Sequence, residues 1–248
     1  MQTIEENKRV RNSQYDWSGG VTARICGHTF LPSLMGPAPL VLDIGANEGD
    51  FTRAMVQQFG CRVHALEPNP YLFADLQASA IPGVTVQNVA LADTPGPRPF
   101  VLMGNTEYSH FSSAGDSGIQ VEVVTLGDLV SQIPKASIDL IKMDIEGAEL
   151  DILECLPLEV MERFRQITVE FHQFLYPESR PRVEAIKKRF RDAGYWVVDF
   201  TRTNMDVLFV HSSARPNLQL RASILNEKYR HGISRRLSYW FSARGGQR

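Results

Sequence analysis

From residue 40 onward, short apolar runs alternate with stretches of helical periodicity, the pattern of a parallel sheet covered by helices. Leu40-Val41-Leu42-Asp43-Ile44 reads as a first strand, and the following helix sets Phe51, Ala54, Met55 and Phe59 on one face before Gly60 stops it. Arg62 to Leu66 is a second strand. A helix opened by Pro70 carries Leu72, Phe73, Leu76 and Ala80, and Pro82-Gly83 breaks it ahead of a third strand, Val84 to Val89. Strand four is expected over Ile138 to Ile145 and strand five over Ile167 to Phe171, followed by a helix with Val183, Ile186 and Phe190 on one side. Tyr195 to Phe200 and Val207 to Val210 form a closing hairpin around Thr203-Asn204-Met205-Asp206. The class is therefore α/β: a mostly parallel sheet with helices on both faces and an antiparallel C-terminal hairpin. Residues 95 to 118, with Pro95, Pro97, Pro99 and the polar run Gly104 to Gly118, read as a loop over the site.

Composition changes this picture little. At 248 residues, 43% hydrophobic and 22% charged, the chain is long enough for one large core and is neither disordered nor fibrous. We expect an N-terminal extension over 1–39, one domain over 40–213 and a basic tail over 214–248. Cys26, Cys61 and Cys155 show no metal-binding spacing and read as reduced thiols. The start MQTIEENKRV is charged where a signal peptide is apolar, and no apolar run reaches the ~20 residues that cross a bilayer, so a cytoplasmic protein is expected.

Charge is unevenly spread. The last 34 residues hold eight Lys and Arg against Glu227 alone, leaving the rest with 18 basic and 27 acidic residues. A body that acidic is a poor general binder of nucleic acid. In the tail, Arg235 and Arg236 stand beside Tyr239, Trp240 and Phe241. Two readings compete: peripheral contact with an anionic membrane, or packing of Ile224, Leu225, Leu237 and Trp240 on the domain or on a second subunit. Packing is preferred, because isolated tails seldom carry this much apolar surface unburied.

The first strand runs into Asp43-Ile44-Gly45-Ala46-Asn47-Glu48-Gly49-Asp50. Two glycines four apart let a ligand approach the main chain at a helix N-terminus. Asn47 stands where a pyrophosphate-binding GxGxxG turn needs Gly, and the acids Glu48 and Asp50 suit a cationic ligand such as a sulfonium. Glu67, 24 residues after Asp43, is placed to accept from ribose hydroxyls, and Asn88 could read an adenine edge. Period two sets Lys142, Asp144 and Glu146 on one face of strand four, with Glu170 and His172 together on strand five. Charged residues do not normally line central strands, and ligands of open α/β sheets bind beyond the carboxyl ends of the strands, so these five mark a site.

The stretches VLDIGANEG, HALEPNP, VQNVALAD, IDLIKMDIEGAELDIL and ITVEFH together resemble the FkbM family of S-adenosylmethionine-dependent methyltransferases, over roughly residues 40 to 172. The resemblance implies a seven-stranded Rossmann-like sheet of order 3-2-1-4-5-7-6 with strand seven antiparallel. The implied activity is O-methylation of a sugar, glycan or natural-product hydroxyl. It places the methionine part of the cofactor at Asp43, Gly45, Asn47 and Gly49, the ribose at Glu67 beside Pro68, and the adenine at Asn88, Val89 and Ala90, with Asp144 adjoining. Gly127 departs from the family, which commonly has Asp in that run.

Methyl transfer from a sulfonium needs alignment more than catalytic groups, but a hydroxyl is a weak nucleophile and a nearby base helps. Asp144 and His172 are the candidate bases, with Glu146, Glu170 and Lys142 as partners. Alternatively Asp144, Glu170 and His172 hold Mg²⁺ or Mn²⁺, which would acidify the hydroxyl. Rival readings are an N-methyltransferase of the same fold, a nicotinamide-dependent oxidoreductase and a non-catalytic adenosylmethionine-binding module. The missing GxGxxG argues against the oxidoreductase, and the five polar strand-end groups argue against the binding module.

Overall fold

The computed structural model describes residues 20–102, 110–111, 118–134, 137–173 and 176–229. Its centre is a seven-stranded sheet. The strands are β3 (Leu40–Ile44), β4 (Arg62–Leu66), β5 (Val84–Gln87), β11 (Leu140–Met143), β12 (Gln166–Val169), β13 (Tyr195–Asp199) and β14 (Val207–His211). Their spatial order is β13-β14-β12-β11-β3-β4-β5, and β14 alone runs antiparallel to its neighbours β12 and β13. In chain order of the sheet this is 3-2-1-4-5-7-6, as the resemblance implied.

Pairing puts β3 inside the sheet, between β11 and β4, so its residues are buried on both sides. Leu40, Leu42 and Ile44 join Ile141, Met143, Ile167 and Val169 in the larger core. Val41 faces the other way, with Val63, Ala65 and Leu140 against Phe51, Met55 and Leu76. These last three come from helix α1 (Asp50–Phe59) and helix α2 (Pro70–Ala78). Gly60, at φ 61°, ends α1 in the left-handed conformation that glycine accepts without strain. The second helix stops at Ala78 and not at Ala80: Ser79 caps it, Ala80 turns out at φ 45°, and Pro82 cannot continue a helix.

Residues 95–118 differ from the expected loop. Strands β7 (Arg98–Val101), β8 (His110–Phe111) and β9 (Ile119–Val121) form a small antiparallel sheet, β8-β7-β9. Phe100 and Val121 bury its inner face with Val123. The polar residues Asn105, Tyr108, Ser109 and Ser112 lie outside the described residues.

Residues 22–31, set apart by the sequence as an extension, pack on the sheet. Strands β1 (Ala23–Ile25) and β2 (His28–Phe30) form a hairpin whose turn residues Cys26 and Gly27 both have positive φ, 48° and 89°. Ala23, Ile25 and Phe30 fill the second core. The Asp206 carboxylate, fully buried in the turn before β14, accepts from Arg24 Nε (3.2 Å), Thr29 N (3.0 Å) and Thr29 Oγ1 (2.7 Å). Gln166 on β12 adds a two-way amide pair with the Leu31 backbone.

The start of the basic tail also packs. Residues 218–229 are helical, and Ile224 is fully buried with Leu31, Leu34, Val198, Leu208 and Val210. Glu227 accepts from Thr22 N (2.8 Å) and Thr22 Oγ1 (3.0 Å), tying this helix to the N-terminal hairpin. Leu225 stays exposed, whereas Arg235, Arg236, Leu237, Tyr239, Trp240 and Phe241 lie outside the described residues. Ile224→Ala should therefore cost about 3 kcal/mol, lowering Tm by roughly 6–12 °C in a thermal melt. An unchanged Tm would show that the helix is not docked in solution. Among the described residues, no helix is long and apolar enough to cross a membrane.

Candidate functional site

The carboxyl ends of β3, β4, β11 and β12 converge on one edge, and three of the expected groups meet there by cross-strand pairing. Lys142 on β11 lies directly opposite Asp43 on β3. Its Nζ donates to Gly45 O at 2.5 Å and sits 3.4 Å from Asp43 Oδ1 and 4.0 Å from Asp144 Oδ2. Burial alone would lower the Lys142 pKa, but the charges of Asp43 and Asp144 outweigh it and hold the ammonium above its usual value. Lys142 is thus a strut between the glycine turn and Asp144. Asp43 is fully buried, pairing with Lys142 and accepting from Thr52 Oγ1 (2.6 Å), so it shapes the turn from behind.

The turn needs its glycines for two reasons. Gly45 has φ 79° and a Cβ there would stand 2.0 Å from Asp144 O; Gly49 has φ 83° and a Cβ would stand 2.4 Å from Leu76 Cδ1. A side chain at Gly45 would therefore push the backbone after β11 away from the turn, and one at Gly49 would displace the Leu76 side chain, each on top of a strained φ. Asn47, also left-handed at φ 52°, gives its N–H to Glu67 Oε2 (2.7 Å), while Asn69 N–H reaches Oε1 (2.8 Å). Burial pushes the Glu67 carboxyl above its ordinary value, and these two N–H donors pull part of the way back. Each oxygen keeps acceptor capacity for a ligand hydroxyl.

Asn88 does not present its amide donors outward. Nδ2 donates to Glu67 O (2.8 Å) and Pro68 O (3.0 Å), pinning the β4 turn, and Ala90 N–H is spent on Glu122 O (2.8 Å). An adenine edge at Asn88-Val89-Ala90 therefore cannot use those donors.

Beyond the end of β11 the chain bends sharply: Glu146 has φ 55° and Gly147 φ 107°. This bend turns Glu146 and Glu149 back onto His172, whose side chain is almost entirely enclosed. His172 Nδ1 lies 3.2 Å from Glu149 Oε1, and Nε2 lies 3.2 Å from Glu146 Oε2 and 3.6 Å from Asp144 Oδ1. Burial opposes protonation of this imidazole, but Glu149, Asp144 and Glu146 together push its pKa up to about 9. Lys142, His28 and His172 overcome burial in turn and hold the Asp144 carboxyl far below the usual carboxylate range.

The set Asp144, Glu170 and His172 does not converge as one group. Strand β12 ends at Val169, so the alternation expected to keep Glu170 and His172 side by side does not extend to them. Asp144 instead belongs to two triads whose ligand atoms lie within 4.8 Å of one another: His28, Asp144 and Glu170, and Asp144, Glu149 and His172. Neither His28 nor Glu149 was singled out from the sequence. Glu149 stands in the EGAE stretch and carried a spacing signal that could have been read; His28, on a three-residue strand far from every motif, carried none.

A cavity of about 300 Å³ opens beside His172, lined among others by Gly147, Glu149, Tyr176, Glu178 and Arg182. Tyr176 is exposed, and Arg182 is held by Asp151 (2.6 Å) and Glu154 (2.6 and 2.8 Å). A largely apolar hollow with Phe171 and Tyr176 in its wall and Glu149, His172 and Gln173 at its rim is suited to a small molecule that carries a few hydroxyls.

A seven-stranded sheet with an antiparallel seventh strand, a glycine turn and a ribose-spaced acid defines the S-adenosylmethionine-dependent methyltransferases of Rossmann-like fold. The family model of the methyltransferase FkbM domain matches residues 43–197, and the chain belongs to that family. It is 28% identical to 31-O-demethyl-FK506 methyltransferase FkbM of Streptomyces tacrolimicus, covering 55% of this chain and 66%, just under two thirds, of that protein. It is 29% identical to 2-O-methyltransferase NoeI of Sinorhizobium fredii (strain NBRC 101917 / NGR234), covering 64% of this chain and 75% of the relative. Among solved structures, the Methanococcus jannaschii fibrillarin pre-rRNA processing protein is similar at 13% identity and a TM-score of 0.42, covering 73% of this chain and 68% of that one.

Proposed function

We propose that the chain transfers the methyl group of S-adenosylmethionine to a hydroxyl oxygen of a glycan or natural-product acceptor. The observation that carries this reading is the coupling of two half-sites by Lys142, which bonds the Gly45 carbonyl on one side and faces Asp144 on the other. The cofactor half, in this reading, is Gly45, Asn47, Gly49 and Glu67, with Asp43 supporting the turn. The names of the two relatives, both O-methyltransferases, support oxygen as the acceptor atom.

The acceptor enters from the cavity beside His172 and gives a hydrogen bond to Asp144. S-adenosylmethionine, held by Gly45, Asn47, Gly49 and Glu67, would supply an electrophilic methyl carbon and leave as a neutral thioether once the acceptor oxygen takes that carbon. The oxygen gains positive character during this step, so its proton becomes acidic enough for even the weakly basic Asp144 carboxylate to accept and pass to solvent. His172, protonated at neutral pH, serves to hold Asp144, Glu146 and Glu149 in place and becomes a base only above about pH 9. Binding energy is thus used for alignment in an enclosed site.

The reading is tested by mass spectrometry of products from a panel of glycan and natural-product hydroxyls. One added methyl on oxygen supports it, and methylation confined to nitrogen would overturn it. Glu67→Ala should weaken S-adenosylmethionine binding by about 1.5 to 3 kcal/mol in calorimetry, the loss of hydrogen bonds to a charged acceptor. An unchanged affinity would remove Glu67 from the ribose.

A further inference from the structure

We propose that His28, Asp144 and Glu170 form a binding site for a divalent first-row transition cation, with His28 delivered by the N-terminal hairpin. The cation would serve the methyl-transfer reading above, on which only its purpose rests.

Two observations carry it. The first is convergence: one imidazole nitrogen and two carboxylate oxygens from three separate segments come within 4.8 Å of one another. Ligand atoms around one ion, at ~2.1 Å each, are ~3 to 3.5 Å apart, so side-chain movement of about 1 Å closes the set. The second is His28 itself. Its side chain is fully buried and, among the described residues, Nε2 has no hydrogen-bond partner, standing 3.8 Å from Asp144 Oδ2. Nδ1 lies 3.4 Å from Thr168 Oγ1 and the ring edge packs on Phe51, so the imidazole is oriented while its second nitrogen faces the carboxylate. Buried polar atoms of this kind are rarely left unmatched, and an oriented imidazole with a held second nitrogen is the usual form of a metal-binding histidine.

The competing triad of Asp144, Glu149 and His172 is less suited, because both His172 nitrogens already face carboxylates and Glu149 Oε1 accepts from Ile145 N at 2.8 Å. One imidazole with two carboxylates favours Mn²⁺ and its neighbours over Mg²⁺.

The test is a Mn²⁺ titration of the full-length protein, reading free Mn²⁺ by electron paramagnetic resonance, with S-adenosylmethionine affinity measured separately by calorimetry without metal. One Mn²⁺ per chain is expected, and His28→Gln and Glu170→Gln should each weaken it at least tenfold while cofactor affinity stays within threefold. Absence of Mn²⁺ binding by the unmodified protein up to millimolar concentration, or undiminished binding by a folded His28→Gln, overturns the proposal. If one variant fails to fold, the other decides. Should Mn²⁺ bind at these residues while S-adenosylmethionine does not, the cation site stands and the methyl-transfer reading falls.

Discussion

Replacing Asp144 with Asn lowers turnover by ~10² or more and leaves S-adenosylmethionine affinity nearly unchanged, the pattern expected when a group acts on the acceptor and its proton. The geometry argues for a fold that survives the change. Lys142 retains Asp43 at 3.4 Å and the Gly45 carbonyl, and His172 retains Glu146 and Glu149, each at 3.2 Å. What disappears is the one carboxylate shared by Lys142, His172 and His28. Steady-state kinetics on an identified acceptor, paired with calorimetry, read the two effects separately. Full turnover by the variant would take Asp144 out of the reaction, and equal losses in turnover and cofactor affinity would make it a support of the cofactor pocket.

His172→Gln should destabilise the protein by about 3 to 5 kcal/mol, because it removes the buried cation that faces Glu146 and Glu149 at 3.2 Å and Asp144 at 3.6 Å. The same group predicts a pH dependence. Its folded pKa, about 9, is raised above the unfolded value of 6.5, so its contribution is fully present below about pH 6.5 and is lost as pH rises through about 9. The size is on the order of 3 kcal/mol between those limits. Urea unfolding of the unmodified protein at about pH 6 and about pH 10 measures it, and the variant should lack that part of the slope. A variant with the same pH dependence would show that His172 is not the imidazolium described.

The cofactor half was readable because it is built from short-range features. Gly45 and Gly49 stand in their turn at positive φ, where only glycine avoids both strain and collision, and Glu67 follows at the end of the next strand. At Asn88 the sequence does not reveal that the Nδ2 donors are used within the protein, on the Glu67 and Pro68 carbonyls that only the folded β4 turn brings near. Periodicity sets Lys142 beside Asp144 and Glu146; its bond to Gly45 O depends on β3 and β11 being neighbours, which periodicity does not specify.

The amino-acid sequence alone determined the βαβαβ alternation, the glycine turn, the C-terminal hairpin and the gathering of Lys142, Asp144, Glu146, Glu170 and His172 at strand ends. Those follow from local periodicity and from backbone sterics, which act over a few residues. Tertiary structure alone decided that Glu149 and Glu146 turn onto His172 and raise its pKa, since that requires the bend at Glu146-Gly147 to close on another strand. It also decided that residues 22–31 and 218–229 belong to the packed body. The hairpin strands are too short to show a period, and what holds both segments is long-range: Asp206 bonded to Arg24 and Thr29, Glu227 to Thr22, and Ile224 buried against Leu31. Through that packing His28, silent in the sequence, arrives 3.8 Å from Asp144.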